Sequence, residues 1–163
     1  MVSLMGIGPS TKETTLHHFQ DPLVDLLSKD PDIDFQGVVV VGTPQSNAMK
    51  YLVGQRSAAW LEGMRTNGVI ATTDGWGNSD VDFANTLEEV GRRDISVIGL
   101  KFIGTQAKFV VENDFTKHVL DFNKSAEGIE TEVVGENTIN HQDAIKALAS
   151  IKLKMRKDNQ QLR

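Results

Sequence analysis

The chain has 163 residues, 39% hydrophobic and 24% charged, with a formal net charge of −5 and a pI near 5.3. That length is enough for one domain with a real core, and the acidic balance argues against nucleic acid as the main ligand, because phosphate binding needs clustered Lys and Arg. No apolar run approaches the roughly 20 residues of a membrane helix, and no cysteine is present, which removes disulfides, zinc–thiolate sites, iron–sulfur clusters and any cysteine nucleophile within the chain.

The opening "MVSLMGIGPSTKE" lacks the basic start and apolar stretch of a secretory signal, so a cytoplasmic location is expected. Residues 1–15 read as a polar extension, 158–163 as a frayed tail, and 1–163 as a single domain. Pro22 begins a short amphipathic helix over Leu23, Leu26 and Leu27, and "PDIDF" is a turn. The valines Val38 to Val41, bounded by glycines, predict a strand buried on both faces. Thr43 is a candidate N-cap and Pro44 a first helical position for a helix over Ser46 to Thr66, ended by Asn67–Gly68.

"VIATT" is the next strand. Ser79 is expected to cap the following helix, with Asp82 as its capping-box partner and Val81, Ala84, Leu87 and Val90 along one face. "ISVIGLKF" is a third strand and "IGTQ" a turn. The stretches "AKFVVEN" and "HVLDFN" read as a short helix or irregular crossover with strand character from Val119 to Phe122. "ETEVVG" is a further strand; Asn140 with Asp143 then opens the last helix, whose inner face is Ile145, Leu148 and Ile151. The basic cluster Lys152 to Lys157 sits near the end of that helix, where cations complement the helix dipole.

Strands separated by helices imply parallel pairing and right-handed crossovers. The expected fold is a three-layer α/β/α sandwich with a mainly parallel sheet of four or five strands. Ligands of such sheets bind beyond the carboxyl ends of the strands. The loops there are Gly42 to Gln45, Asp74 to Asn78, Gly104 to Gln106 and Gly135 to Asn137. The candidate ligand-binding residues are Thr43, Asp74, Gly75, Trp76, Asn78, Gly104, Thr105, Gln106, Glu136 and Asn137. Each has a plainer role open to it. The glycines can simply make turns, Asp74 can accept hydrogen bonds within its own turn, and Trp76 can fold back onto the helix beneath it.

The chain has no phosphate-binding GxxxxGK[ST] loop and no GxSxG elbow, and "GIGPS" follows no strand. His17 and His18 are adjacent, so on a helix they point roughly 100° apart, which disfavours a shared metal. His118 and His141 are isolated, and no metal site is expected.

Five stretches carry a resemblance: "GIGPSTKETTLHHFQDPL", "TTDGWGNSDVDF", "FIGTQAKFVVEN", "DFNKS" and "GIETEVVGENT". They resemble the D-proline reductase proprotein family and, more broadly, the glycine/sarcosine/betaine reductase component B subunits, over about Gly6 to Lys157. In that family an internal cysteine becomes an N-terminal pyruvoyl group on the C-terminal subunit. Its carbonyl captures the substrate amine, and a separate selenocysteine subunit attacks the activated carbon, opening D-proline to 5-aminopentanoate.

The resemblance implies an oxidoreductase component of amino-acid (Stickland) fermentation. Its implied partners are a selenocysteine-containing reductase subunit and other proline reductase components, and its implied ligand is a small amino or imino acid. The sequence departs from the family at the cysteine, which it lacks. No cofactor is therefore expected in this chain, its catalytic residues are unassigned, and it resembles a stand-alone paralogue that is not catalytic alone. The alternative is a non-catalytic assembly or small-molecule-binding protein. No membrane partner is expected, and self-association stays open.

Overall fold

The computed structural model describes residues 21–73, 77–105, 109, 111–129, 131, 133, 136 and 138–161. Helix α1 spans Pro22–Lys29. Asp21 caps it, its Oδ1 accepting from the Leu23 N–H at 2.9 Å, and Pro22 occupies a position whose N–H would have no helical acceptor. Leu23 is buried, with Leu26 and Leu27 packed beside it.

Helix α2 spans Asn47–Gly63 with Ser46 at its N-cap, so Thr43 and Pro44 lie outside it. It ends through Arg65, at φ 59, rather than at Asn67–Gly68, because Gly68 is already paired in a strand. Strand β1 is Gly68–Thr73, helix α3 Asn78–Gly91, strand β2 Ser96–Lys101 and strand β3 Val119–Asp121. A 3₁₀ turn, Thr116–His118, leads into β3, and helix α4 is His141–Gln161. The N-cap of α3 is Gly77 rather than Ser79.

The sheet is parallel, in the order β1-β2-β3. Thr73 pairs with Lys101, and Lys101 with Asp121, so the carboxyl ends of all three strands form one row. Central strand β2 is buried along its whole length. Alternate residues of a strand point to opposite faces. Val97 accordingly joins Phe83, Leu87 and Val90 of α3, whereas Ile98 and Leu100 join Leu23 of α1 and Ala144, Ala147 and Ile151 of α4. The strand character expected at Val119 is present.

The start of α4 is as the sequence predicts. The Asp143 N–H donates to Asn140 Oδ1 at 3.1 Å and the Asn140 N–H to Asp143 Oδ2 at 2.9 Å, a reciprocal box. Its inner face is shifted, however. Ala144 and Ala147 are buried with Ile151, while Ile145 is 41% exposed, because small residues let the helix lie close on the sheet. Within the basic cluster, Lys152 Nζ lies 2.6 Å from Asp30 Oδ1 and 2.9 Å from Asp32 Oδ2, tying α4 to the end of α1. The hydrogen bond from Lys152 holds the Asp30 carboxyl below its ordinary range.

One expected strand needs correction, and a second falls mostly outside the described residues. Val38 to Val41 belongs to no strand of the described residues. Its ends are nevertheless fastened beside both ends of β1: Thr66 Oγ1 donates to Gln36 Oε1 at 2.9 Å, and Asn78 Nδ2 to Gln45 Oε1 at 3.2 Å. Val38 and Val40 are 63% and 72% exposed, while Val39 and Val41 are half-buried. The segment has strand-like alternation, but among the described residues its outer valines meet no packing layer, so it is not buried there on both faces. Of "ETEVVG", Glu130, Glu132, Val134 and Gly135 lie outside the described residues, and Thr131 and Val133 are in no strand. The described sheet thus has three strands rather than four or five.

Helices α2 and α3 pack closely. A Cβ on Gly54 would stand 2.1 Å from Asn85 Nδ2, whereas one on Gly63 would meet nothing within 4 Å. Gly54→Ala should therefore destabilise the fold by about 1–3 kcal/mol through overpacking. Gly63→Ala should be neutral or gain up to about 1 kcal/mol from helix propensity. Urea unfolding of both variants tests the contrast, and equal midpoints would contradict the close approach.

Candidate functional site

The row Thr73–Lys101–Asp121 marks the carboxyl edge of the sheet, where ligands of parallel α/β sheets bind. Beneath this edge lie four buried charges. Lys101, the last residue of β2, places its Nζ 2.8 Å from Asp80 Oδ1, and each side chain is 1% exposed. Lys50, in the first turn of α2, pairs with Asp82; these side chains are 0% and 7% exposed. Lys101 Nζ also stands 5.7 Å from the centre of the Phe109 ring, within cation–π range.

The local reason is helix geometry. Asp80 and Asp82 are two residues apart on α3, so their side chains diverge by roughly 200° around the axis. One carboxylate therefore addresses the sheet and the other addresses α2. Both sit near the positive end of the α3 dipole. The lysines reach them from two other elements, so the quartet binds β2, α2 and α3 together. Asp80 Oδ1 and Asp82 Oδ1 have no aligned hydrogen-bond donor among the described residues. Asp82 does not act as the capping-box partner of Ser79; it is engaged with Lys50 instead.

The loop after β2 is fixed by a second carboxylate. Asp121 Oδ1 accepts from the N–H groups of Ile103 at 3.0 Å and Asn123 at 2.9 Å, and Oδ2 from Gly104 at 2.9 Å. Gly104 has φ 53, and a Cβ there would lie 2.2 Å from the Gly128 carbonyl oxygen, so this position requires glycine. The Thr105 N–H donates to the same oxygen at 2.7 Å, and its hydroxyl does so at 3.0 Å. Lys124 secures the next loop: its Nζ donates to the carbonyls of Phe122 at 2.7 Å and Thr138 at 2.6 Å and pairs with Asp143 at 2.7 Å.

The candidates from the sequence fall into three groups. Asp74, Gly75, Trp76, Gln106 and Asn137 lie outside the described residues. Asn78, Thr105 and Glu136 are engaged locally, Glu136 Oε2 accepting from Thr131 Oγ1 at 2.6 Å and Asn78 donating to Gln45. Thr43 is exposed in the extended segment before α2. The structure brings Asn78 to Gln45, and Gly104 and Thr105 beside Gly128. Sequence reasoning missed Lys50, Lys101, Asp80 and Asp82. The available signal was a lysine closing an otherwise apolar strand, matched by the Asp-x-Asp in the first turns of the preceding helix.

Removing one partner of a buried pair leaves an unpaired charge, whereas replacing both with apolar groups need not destabilise. Lys50→Met should cost about 3–5 kcal/mol, and Lys50→Met with Asp82→Leu should recover most of that loss. Urea unfolding checks this. A single variant no less stable than the double would show that the pair does not hold α2 on α3.

Comparison with known proteins places the chain in a family. Residues 1–146 match the family model of the glycine/sarcosine/betaine reductase component B subunits. The chain is 43% identical over 150 residues to the D-proline reductase proprotein PrdA of Acetoanaerobium sticklandii, covering 92% of this chain and 24% of that protein. It thus spans about a quarter of the length of the curated relative it matches. No solved structure matches the chain significantly. By the extent of the family match and by this identity, the chain belongs to the family of glycine/sarcosine/betaine reductase component B subunits.

Proposed function

We propose that this protein serves the D-proline reductase system as a component or stand-alone paralogue, built on a three-layer α/β/α scaffold and acting in the cytoplasm with a selenocysteine-containing partner. The observation that carries this proposal is the 43% identity to the D-proline reductase proprotein across 92% of the chain. The reaction of that system opens the D-proline ring reductively. The C–N bond at the α-carbon breaks, the partner supplies a pair of electrons with the accompanying protons, and 5-aminopentanoate forms.

The pyruvoyl group of the family does not fit this chain, because its 163 residues contain no cysteine from which to form it. The protein is therefore not catalytic alone. Its part is to hold a small amino or imino acid at the carboxyl edge of the sheet, or to assemble with the subunits that react it. Asp74 offers an acceptor for the ligand's ammonium group, and Trp76 offers an apolar wall for its ring. The quartet of buried charges holds the base of this edge rigid. The missing cysteine also favours a second role, as a non-catalytic assembly protein whose edge loops bind no substrate.

Three measurements test these roles. The intact mass should equal that of the encoded chain, with no carbonyl reactive to hydrazine; a hydrazone adduct would overturn the non-catalytic assignment. The protein should co-elute with the purified selenocysteine-containing subunit at micromolar concentration, and two separate peaks would rule out a subunit role. Calorimetric titration with D-proline should show binding that Asp74→Ala weakens at least tenfold without shifting the thermal transition. Unaltered binding would remove Asp74 from the site, and no binding by the parent protein would favour the assembly role.

A further inference from the structure

Strand β1 lies at the edge of the described sheet, with one side of its backbone unused. The Ser96 N–H donates to the Asn67 carbonyl at 3.1 Å, which sets the phase of the parallel ladder. Val69, Ala71 and Thr73 therefore bond toward β2, and the N–H and C=O groups of Gly68, Ile70 and Thr72 point to the open side. Those groups have no hydrogen-bond partner among the described residues.

Residues 36–45 run beside β1. Gln36 is bonded to Thr66 before the strand and Gln45 to Asn78 after it, so the segment passes β1 in the same direction. Val39 and Val41 are half-buried while Val38 and Val40 are exposed, the alternation of a strand with one face covered. Helix α2 joins this segment to β1, which is the order of a parallel strand–helix–strand crossover. As a crossover helix, α2 is incomplete. Helix α3 packs on both strands that it joins, whereas α2 packs on α3 and extensively on no described strand. Gly37, at φ 128, and Gly42 bound the valines, and a Cβ at either would meet nothing within 4 Å, so the chain can turn at both ends.

We propose that residues 38–41 are a strap that docks on the open side of β1 as a fourth parallel strand. With Gln36 opposite Thr66, Val38 lies opposite Gly68, Val40 opposite Ile70 and Thr43 opposite Thr73. In this register Val39 and Val41 face the side of Val69 and Ala71, which pack with residues of α2 and α3. Val38 and Val40 face the side of Ile70, which packs with α4. A slip of one residue would turn the half-buried valines away from α2. On docking, the Ile70 N–H donates to the Val39 carbonyl and the Thr72 N–H to the Val41 carbonyl. The Val39 and Val41 N–H groups donate to the carbonyls of Gly68 and Ile70. Closure also adds Thr43 to the row Thr73–Lys101–Asp121, so the strap completes the carboxyl edge of the sheet.

Amide hydrogen exchange followed by NMR on the full chain tests the strap. The Ile70 and Thr72 amides should be protected in the parent protein. Val41→Pro removes an N–H that faces β1 and should speed exchange at both amides roughly tenfold or more. Val40→Pro should leave both protected, because its N–H points away from β1. Unchanged protection of Val97 and Ile98 establishes that the sheet stays folded in both variants. Ile70 and Thr72 amides that exchange as freely as an unstructured chain in the parent, or equal effects of the two prolines, would overturn the proposal. Protection that rises with protein concentration would assign the added strand to a second copy and overturn it as well.

Discussion

Two carboxylates in the first turns of α3 hold the edge of this fold together. Asp80 binds the lysine that ends the central strand, and Asp82 binds the lysine that begins α2. Ions this deeply buried are expensive to remove from water, and a pair offsets that cost only when its partners are held in place. The consequence is mutual dependence. Helix α3 cannot shift along the sheet without parting Lys101 from Asp80, and α2 cannot lift from α3 without stranding Lys50 or Asp82. The close helix contact at Gly54 and Asn85 lies just beyond the Lys50 pair and relies on the same alignment.

The loops above that edge are held by polar groups rather than by apolar packing. Asp121 gathers three backbone N–H groups, and Lys124 gathers two carbonyls and a carboxylate. Irregular backbone has no ladder to satisfy its donors and acceptors, so side chains at the end of β3 do so instead. The described turns at Ile103–Gly104 and at Asn123–Lys124 are thereby fastened to the end of β3.

Much of the architecture was legible from local patterns. The apolar run Ser96 to Lys101, the spacing of Ala84, Leu87 and Val90, and the Asn140–Asp143 box each follow from short-range chemistry, and each is present. Patterns failed where burial depended on what lay outside the segment. Val38 to Val41 has the composition of an interior strand, yet no layer among the described residues covers its outer face. Ile145 has the right spacing for an inner face, yet alanines one register away allow a closer approach to the sheet. Neither outcome is encoded in the segment itself. At the candidate site, the glycine at 104 could be read as a turn, but the carbonyl of Gly128 that makes it obligatory lies far along the chain.

By itself the sequence determined the class of fold, the strand–helix–strand unit from Gly68 to Lys101, the parallel sense of the sheet and the absence of cysteine chemistry, because these follow from periodicity and composition. Its family was visible in short motifs that need no folding to be recognised. Only the tertiary structure decided which charges are buried and with whom. Lys50 and Asp82, like Lys101 and Asp80, are ordinary surface residues in a linear reading. Burial turns them into the pins of the sheet edge, because the low dielectric of the interior makes each charge depend on the partner that folding brings to it.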